Sequence, residues 1–542
     1  RDGNINRSTC GGNRGPAYWQ YTKATDEPET WFPQFFYAGC RYLQVDKLPP
    51  ERAGRSSAPA GVEDDTARPD SGALPQIDEI EGVVVHSVAE SIGEFACSNE
   101  LLNRIRTLVR WAQRSNMVSV LTDCPHREKL GWLEQYHLNG PAIRYEFDVT
   151  RIFNKGMRDM ADSQTDEGLV PNIAPEFTVF PGTFRAAAEW GCALILVPWQ
   201  QYQYTGDKTL MREYYGEMQK YMQYLASRAE GHILDEGLGD WYDLGPADRP
   251  GFAQLTPPEV TATAFSYLDA EVMAKIAKLL GKQEDAREYT ALAADIRQAW
   301  LAKFRNAEAG TYATNSQCSN AIALVMELAD PADRERTLAA LVKDVEDRGN
   351  AMTAGDVGFR YLLQALAEGG CSDVIYAMIN QDERPGYGYQ LKQGATSLTE
   401  AWDANHHASH NHFMLGHITE WFYKDLVGID SDPSAPGFKN VVIRPTPVAD
   451  LEWAEATYRS LRGPIAVRWD RFDGKFRLRA TIPANTTATL YLPTDADSEV
   501  TEGGTDVSQS VGVRLVGREG DRNVYALESG QYDFESRFEP AN

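Results

Sequence analysis

The chain has 542 residues, 42% of them hydrophobic and 11% aromatic. It is too long for one ordinary domain and has enough apolar material for large buried cores. A formal net charge of -25 disfavours nucleic acid and anionic membrane surfaces as partners and suits a neutral ligand.

No apolar run is long enough to span a bilayer. Cys10, Cys40, Cys97, Cys124, Cys192, Cys318 and Cys371 are scattered and form no CxxC pair. Mostly free thiols are therefore expected, with no zinc ribbon or thioredoxin-like motif. The chain begins at Arg1 without a visible signal peptide, and a processed or truncated form is expected. The compartment (periplasmic, secreted or cytoplasmic) and the oligomeric state stay open.

Residues 1–95 carry no helical period. Pro33 to Val45 reads as strand, glycine turn, strand, and Gly82 to Ala89 as a further strand, while the Pro/Gly/Ser/Asp-rich stretch Pro49 to Ala73 reads as an exposed loop. From Ser98 the period becomes 3.6. Ser98 is the expected N-cap, and Leu101, Leu102, Ile105, Leu108, Val109 and Ala112 fall on one face. Helical stripes recur over Trp199 to Leu225, Ala262 to Leu280, Glu284 to Phe304, Asn320 to Leu328, Ala332 to Asp347, Gly358 to Ala367, Cys371 to Ile379 and His412 to Leu426. After Gly428 the alternation has period two, and the Asp-Gly pair between Arg471 and Lys475 is a strong hairpin signal. A C-terminal β-sandwich that supports the helical domain is expected. The resulting division is 1–95, 96–427 and 428–542.

Thr122 to Gln135, TDCPHREKLGWLEQ, follows the first helix and crowds three acids, two cations, a histidine and a tryptophan into fourteen residues. Such a corner is what an active-site rim needs. Near the end of the helical region stands GATSLTEAWD, with Glu400 and Trp402.

These two segments resemble motifs of the alpha-L-rhamnosidases of glycoside hydrolase family 78. The resemblance implies an (alpha/alpha)6 barrel between an incomplete N-terminal β-sandwich and the C-terminal β-sandwich. It implies an inverting hydrolase that releases terminal alpha-L-rhamnose from glycosides, oligosaccharides or polysaccharides, with no cofactor and no metal. Glu128, before the basic residue and LGW, matches the general acid, and Glu400 matches the general base. Asp123 and Arg127 match residues that grip ring hydroxyls, Arg127 as a fork of donors and Asp123 as an acceptor. Trp132 and Trp190 match aromatic positions that line the sugar pocket, where the methyl-bearing face of the sugar is apolar, and Trp241 in the GDWYD segment is a third candidate; a buried core role is the alternative for Trp190 and Trp241. His412, in SHNHF, matches a histidine contacting the sugar. Arg127 is expected to point at the sugar or at Asp123 and not at Glu128.

The motif departs from a common family form, DCPxRDERLGWTGD, by one residue between the arginine and the glutamate. Gln135 then stands where that form has its last aspartate, and Glu134 lies beside it as a second acid within reach. His406, His407, His410 and His412 follow Asp403 closely, and an incidental metal site there is the alternative to a sugar contact. Two further readings stay open: another (alpha/alpha)6 carbohydrate enzyme, such as an unsaturated uronyl hydrolase or a phosphorylase, and a non-catalytic sugar-binding relative.

Overall fold

The computed structural model describes residues 19–40, 43–46, 76–247, 249, 251–495 and 498–538. The expected loop Pro49 to Ala73 lies outside them. The chain divides into two compact units, Arg1–Val85 with Pro125–Glu128, and His86–Cys124 with Lys129–Asn542.

Among the described residues of the first unit the expected strands are not formed. The described parts of Pro33 to Val45, and Gly82 to Val85, run without a strand ladder. A strand exists only with a partner to take its N–H and C=O groups, and here the apolar side chains Phe35, Val83, Val84 and Val85 are exposed.

The first strand of the second unit, Gly93–Cys97, belongs to the C-terminal sheet. It pairs antiparallel with Trp453–Ser460. The first helix, Glu100–Ser115, is capped by Asn99 and not by Ser98. Asn99 Oδ1 accepts from the N–H groups of Leu101 and Leu102 at 2.9 and 3.4 Å, whereas Ser98 Oγ accepts from the Glu452 N–H at 2.9 Å. The stripe of Leu102, Ile105, Leu108, Val109 and Ala112 is buried as its period requires.

The helices that follow alternate between two kinds. Pro258–Leu279 buries residues on every face, Thr261, Phe265, Asp269 and Met273 among them. Its neighbour Gln283–Phe304 buries only Ala293, Ile296, Trp300 and Phe304. Asp356–Glu368 and Arg334–Asp347 repeat the contrast. A helix covered all round lies in an inner ring, and one with a single buried stripe lies outside it. This is the architecture of an (α/α)6 barrel. The last expected helix, His412 to Leu426, starts later. Residues 412–413 are irregular, 414–417 are turns, Ile418–Trp421 is helical, and Phe422–Val427 is a π-helical turn. Gly428 closes it at φ 89, where a Cβ would meet the Arg444 backbone at 2.3 Å.

Among the described residues the C-terminal region forms a five-stranded sheet and, together with Gly93–Cys97, a seven-stranded sheet. The Asp-Gly hairpin is present: Phe472 pairs with Lys475, and both Asp473 and Gly474 have positive φ, as a type I′ turn demands. Trp469 ties this layer to the helices by donating from Nε1 to the Leu426 carbonyl at 2.9 Å. The six cysteines among the described residues are free thiols. Among the described residues no helix is long and apolar enough to cross a membrane.

Candidate active site

Two distant loops are stitched together by amides. The first helix ends at Asn116, whose Oδ1 accepts from the Thr122 hydroxyl at 2.8 Å and whose carbonyl accepts from the Thr122 N–H at 2.9 Å. Its Nδ2 donates to Asn411 Oδ1 at 3.1 Å, and Ser115 Oγ donates to the same oxygen at 2.9 Å. Asp123 follows Thr122 and His412 follows Asn411, so the network brings these two side chains to one place. One oxygen of Asp123, the Cys124 sulfur and one ring nitrogen of His412 lie within 4.8 Å of one another, and all three residues are buried.

The second loop folds back on itself. The His412 N–H donates to the Leu398 carbonyl at 2.8 Å, and the Glu400 N–H to the Ser409 carbonyl at 2.9 Å. Glu400 is buried, and its Oε2 accepts from the Ser409 N–H at 2.6 Å. Trp402 does not line a cleft. It is a core anchor with no exposed surface, its Nε1 donating to the Ala354 carbonyl at 2.9 Å and its ring meeting Phe359 and Tyr387 edge-on. It pins the base of the loop that carries Glu400.

Glu134 opens the short helix Glu134–His137 and is buried. Burial pushes its carboxyl well above the ordinary range, with the charge of Asp123 adding to the shift and neighbouring Gln135 and Trp190 opposing it. Trp190 is buried. Trp132 is half-buried, forms a backbone bridge with Ile173 and stacks on Phe180 at 5.4 Å. Trp241 is half-buried against the edges of Phe184 and Phe252. Its carbonyl accepts the Asp356 N–H at 2.8 Å. Asp240 accepts from the Gly355 and Gly358 N–H groups at 2.9 and 2.7 Å, which fixes the GDWYD segment to the start of an inner helix.

Arg127 and Glu128 belong to the first unit. Arg127 Nη2 lies 3.7 Å from Glu128 Oε1. Against the expectation that Arg127 would not point at Glu128, the two opposite charges lie within ion-pair range.

The histidine-rich run does not act as a unit. His406 and His407 are exposed with their rings 4.0 Å apart, and His410 Nε2 lies 3.3 Å from the Asn405 carbonyl. Only His412 turns inward. Cys124 was not singled out from the sequence, because nothing in its spacing points to a residue on a remote loop.

Glu189, next to Trp190, is another buried acid. Its Oε1 accepts from the Thr261 hydroxyl at 2.5 Å and the Gly239 N–H at 3.2 Å, yet burial outweighs these and raises its carboxyl to about 7. A carboxyl with a raised folded value stabilises the fold fully below its unfolded value, and that contribution is lost as pH rises through about 7. Glu189→Gln lacks this titration. Its stability relative to the parent is expected to shift in its favour by roughly 2–3 kcal/mol between about pH 5 and pH 8. Urea unfolding at both pH values checks this, and a difference independent of pH would refute the assignment.

A family profile described as bacterial alpha-L-rhamnosidase 6 hairpin glycosidase domain matches residues 90–426. Another, described as bacterial alpha-L-rhamnosidase C-terminal domain, matches residues 428–506. An alpha-L-rhamnosidase of Streptomyces avermitilis is 30% identical over 491 residues, which is 89% of this chain and 44% of that protein. The solved alpha-L-rhamnosidase from Dictyoglumus thermophilum superposes with a TM-score of 0.79 at 31% identity, over 86% of this chain and 52% of the other. The Streptomyces avermitilis enzyme complexed with L-rhamnose gives 0.76 at 30% identity, over 83% and 43%. The chain spans about half the length of the curated relatives it matches.

Proposed function

Because the chain belongs to the family of bacterial alpha-L-rhamnosidase six-hairpin glycosidase domains, we propose that it hydrolyses terminal alpha-L-rhamnosides with inversion at the anomeric carbon. The observation that carries the proposal is the meeting of Asp123 and His412 beside a loop that holds a buried carboxyl, Glu400, by a backbone N–H. A similar enzyme has been solved with L-rhamnose, which supports the choice of sugar.

In this reading Glu128 protonates the leaving oxygen and Glu400 activates water. Asp123, Arg127, Glu134 and His412 hold the ring hydroxyls, and Trp132, Trp190 and Trp241 offer apolar faces to the methyl side of the sugar. We also read the residues before Gly93 as part of an N-terminal β-sandwich; the expected boundary at residue 95 is corrected, because Gly93–Cys97 pairs into the C-terminal sheet. The exposed Val83, Val84 and Val85 are the kind of surface that a facing sheet covers.

The test is release of rhamnose from p-nitrophenyl alpha-L-rhamnoside, with the first-formed anomer read by proton NMR. The beta anomer is expected first; the alpha anomer first would refute inversion. Absence of hydrolysis on aryl and natural rhamnosides would refute the activity, and a requirement for phosphate would point to a phosphorylase. Two carboxyls need no Lewis acid, so the rate is expected to be unchanged by EDTA. Loss of activity in EDTA that Zn or Ca restores would overturn the two-carboxyl mechanism.

A further inference from the structure

Asp123, Cys124 and His412 present an oxygen, a sulfur and a nitrogen within 4.8 Å of one another in a buried setting. The proposed hydrolysis uses Asp123 and His412 but has no task for Cys124. Each member is held by its surroundings. The Asp123 N–H donates to the Leu130 carbonyl at 3.0 Å, and Asp123 Oδ1 accepts from the Leu130 N–H at 2.9 Å. This turns Oδ2 toward the Cys124 sulfur, 2.8 Å away. His412 is fixed through its N–H to Leu398 and through the amide bridge between Asn116 and Asn411.

Carboxylate, thiolate and imidazole form a donor set of mixed softness. Hard ions such as calcium and magnesium take oxygen ligands and are poorly served by it. Zinc-type ions take all three donors, at about 2.0–2.3 Å, which sets the ligand atoms of a tetrahedral site roughly 3.3–3.8 Å apart. The present spacing, 2.8 Å between Asp123 Oδ2 and the Cys124 sulfur and no more than 4.8 Å across the three atoms, lies around that range. We propose that Asp123, Cys124 and His412 form an inhibitory site for a thiophilic divalent cation, Zn2+ or Cd2+, with a fourth position open to water. The metal binds as the thiol proton is released to solvent and a sulfur–metal bond forms. Inhibition follows because the ion takes the carboxylate and the imidazole assigned to the sugar; that half of the proposal rests on the proposed function, while the binding half does not. Of the nearby histidines, His406 and His407 are exposed and contribute no sulfur, which separates incidental binding there from this site.

The experiment uses the full chain without a polyhistidine tag. Cd2+ is added while the ultraviolet thiolate-to-cadmium charge-transfer band is followed. The band is expected to saturate at one equivalent, to vanish with EDTA, to survive Cys40→Ser and to be lost in both Cys124→Ser and Cys124→Ala, with circular dichroism confirming that the variants fold. L-rhamnose is expected to raise the Cd2+ needed. In the hydrolysis assay Zn2+ is expected to inhibit reversibly, and Cys124→Ser to need roughly 100-fold more Zn2+ for the same fractional loss of its own metal-free rate. A band that persists in the Cys124 variants, or no band at all, overturns the site. A band insensitive to rhamnose overturns the inhibitory half. A Cys124-dependent band in a protein that hydrolyses no rhamnoside supports the site and refutes the proposed function, so the two fail separately.

Discussion

Glu400→Gln is expected to depress kcat/KM on activated and natural rhamnosides alike, by about 10²–10⁴-fold. Water must be deprotonated whatever the leaving group, so a lost general base is felt by every substrate. The structure makes the substitution a clean one. The Ser409 N–H that holds Oε2 at 2.6 Å can hold the amide oxygen of glutamine in the same place. The other position then carries an NH2, which accepts no proton. The buried side chain has an isosteric replacement and the loop keeps its Trp402 anchor, so folding is expected to be unaffected. Equal loss on p-nitrophenyl and natural substrates, with an unchanged melting temperature, is the supporting result. A loss confined to poor leaving groups would give Glu400 the acid role.

The second large effect separates Glu128 from Glu134. A general acid matters most where the leaving group is poor, because a good one departs without a proton. Glu128→Gln is therefore expected to lower the rate on a natural rhamnoside by about 10²–10⁴-fold and to spare a dinitrophenyl rhamnoside. Glu134→Gln is expected to weaken binding of both substrates without that discrimination. The two acids differ physically. Glu134 is buried, and its carboxyl is raised by desolvation first and by Asp123 next, so it holds its proton near neutral pH. Glu128 has Arg127 at 3.7 Å and keeps the place directly before the basic residue and LGW. A proton held in a buried site can serve structure as well as catalysis, which is why the leaving-group series decides between the residues and the burial does not. Leaving-group-dependent loss in Glu134→Gln, and none in Glu128→Gln, would move the acid role to Glu134.

Much of the scaffold was legible in the chain because its signals are local. The stripe from Leu102 to Ala112 dictates which face of the first helix is buried. The Asp-Gly pair dictates the turn between Phe472 and Lys475. Both need only neighbours a few positions away. Local competition also explains a near miss: Ser98 and Asn99 are both good caps, and Asn99 takes the role because the sheet claims Ser98. The strands expected before residue 90 illustrate the opposite limit. An apolar, β-branched run such as Val83 to Val85 marks a segment as suited to a sheet, but only a partner makes it one.

The candidate site divides in the same way. The motif around Asp123 and the segment around Glu400 could be recognised one at a time, each with its residue types in order. That Asp123 meets His412, and that Cys124 stands with them, was decided by tertiary structure alone. The cause is a pair of asparagines, Asn116 and Asn411, whose side chains bridge the end of the first helix and a loop far along the chain. Asparagine has no periodicity to betray such a contact; its amide is satisfied by whichever buried partner the fold brings within reach. The raised carboxyls of Glu134 and Glu189 have the same origin. Their chemistry is set by loss of water, and how much water a residue loses is fixed only when the inner helices close around it.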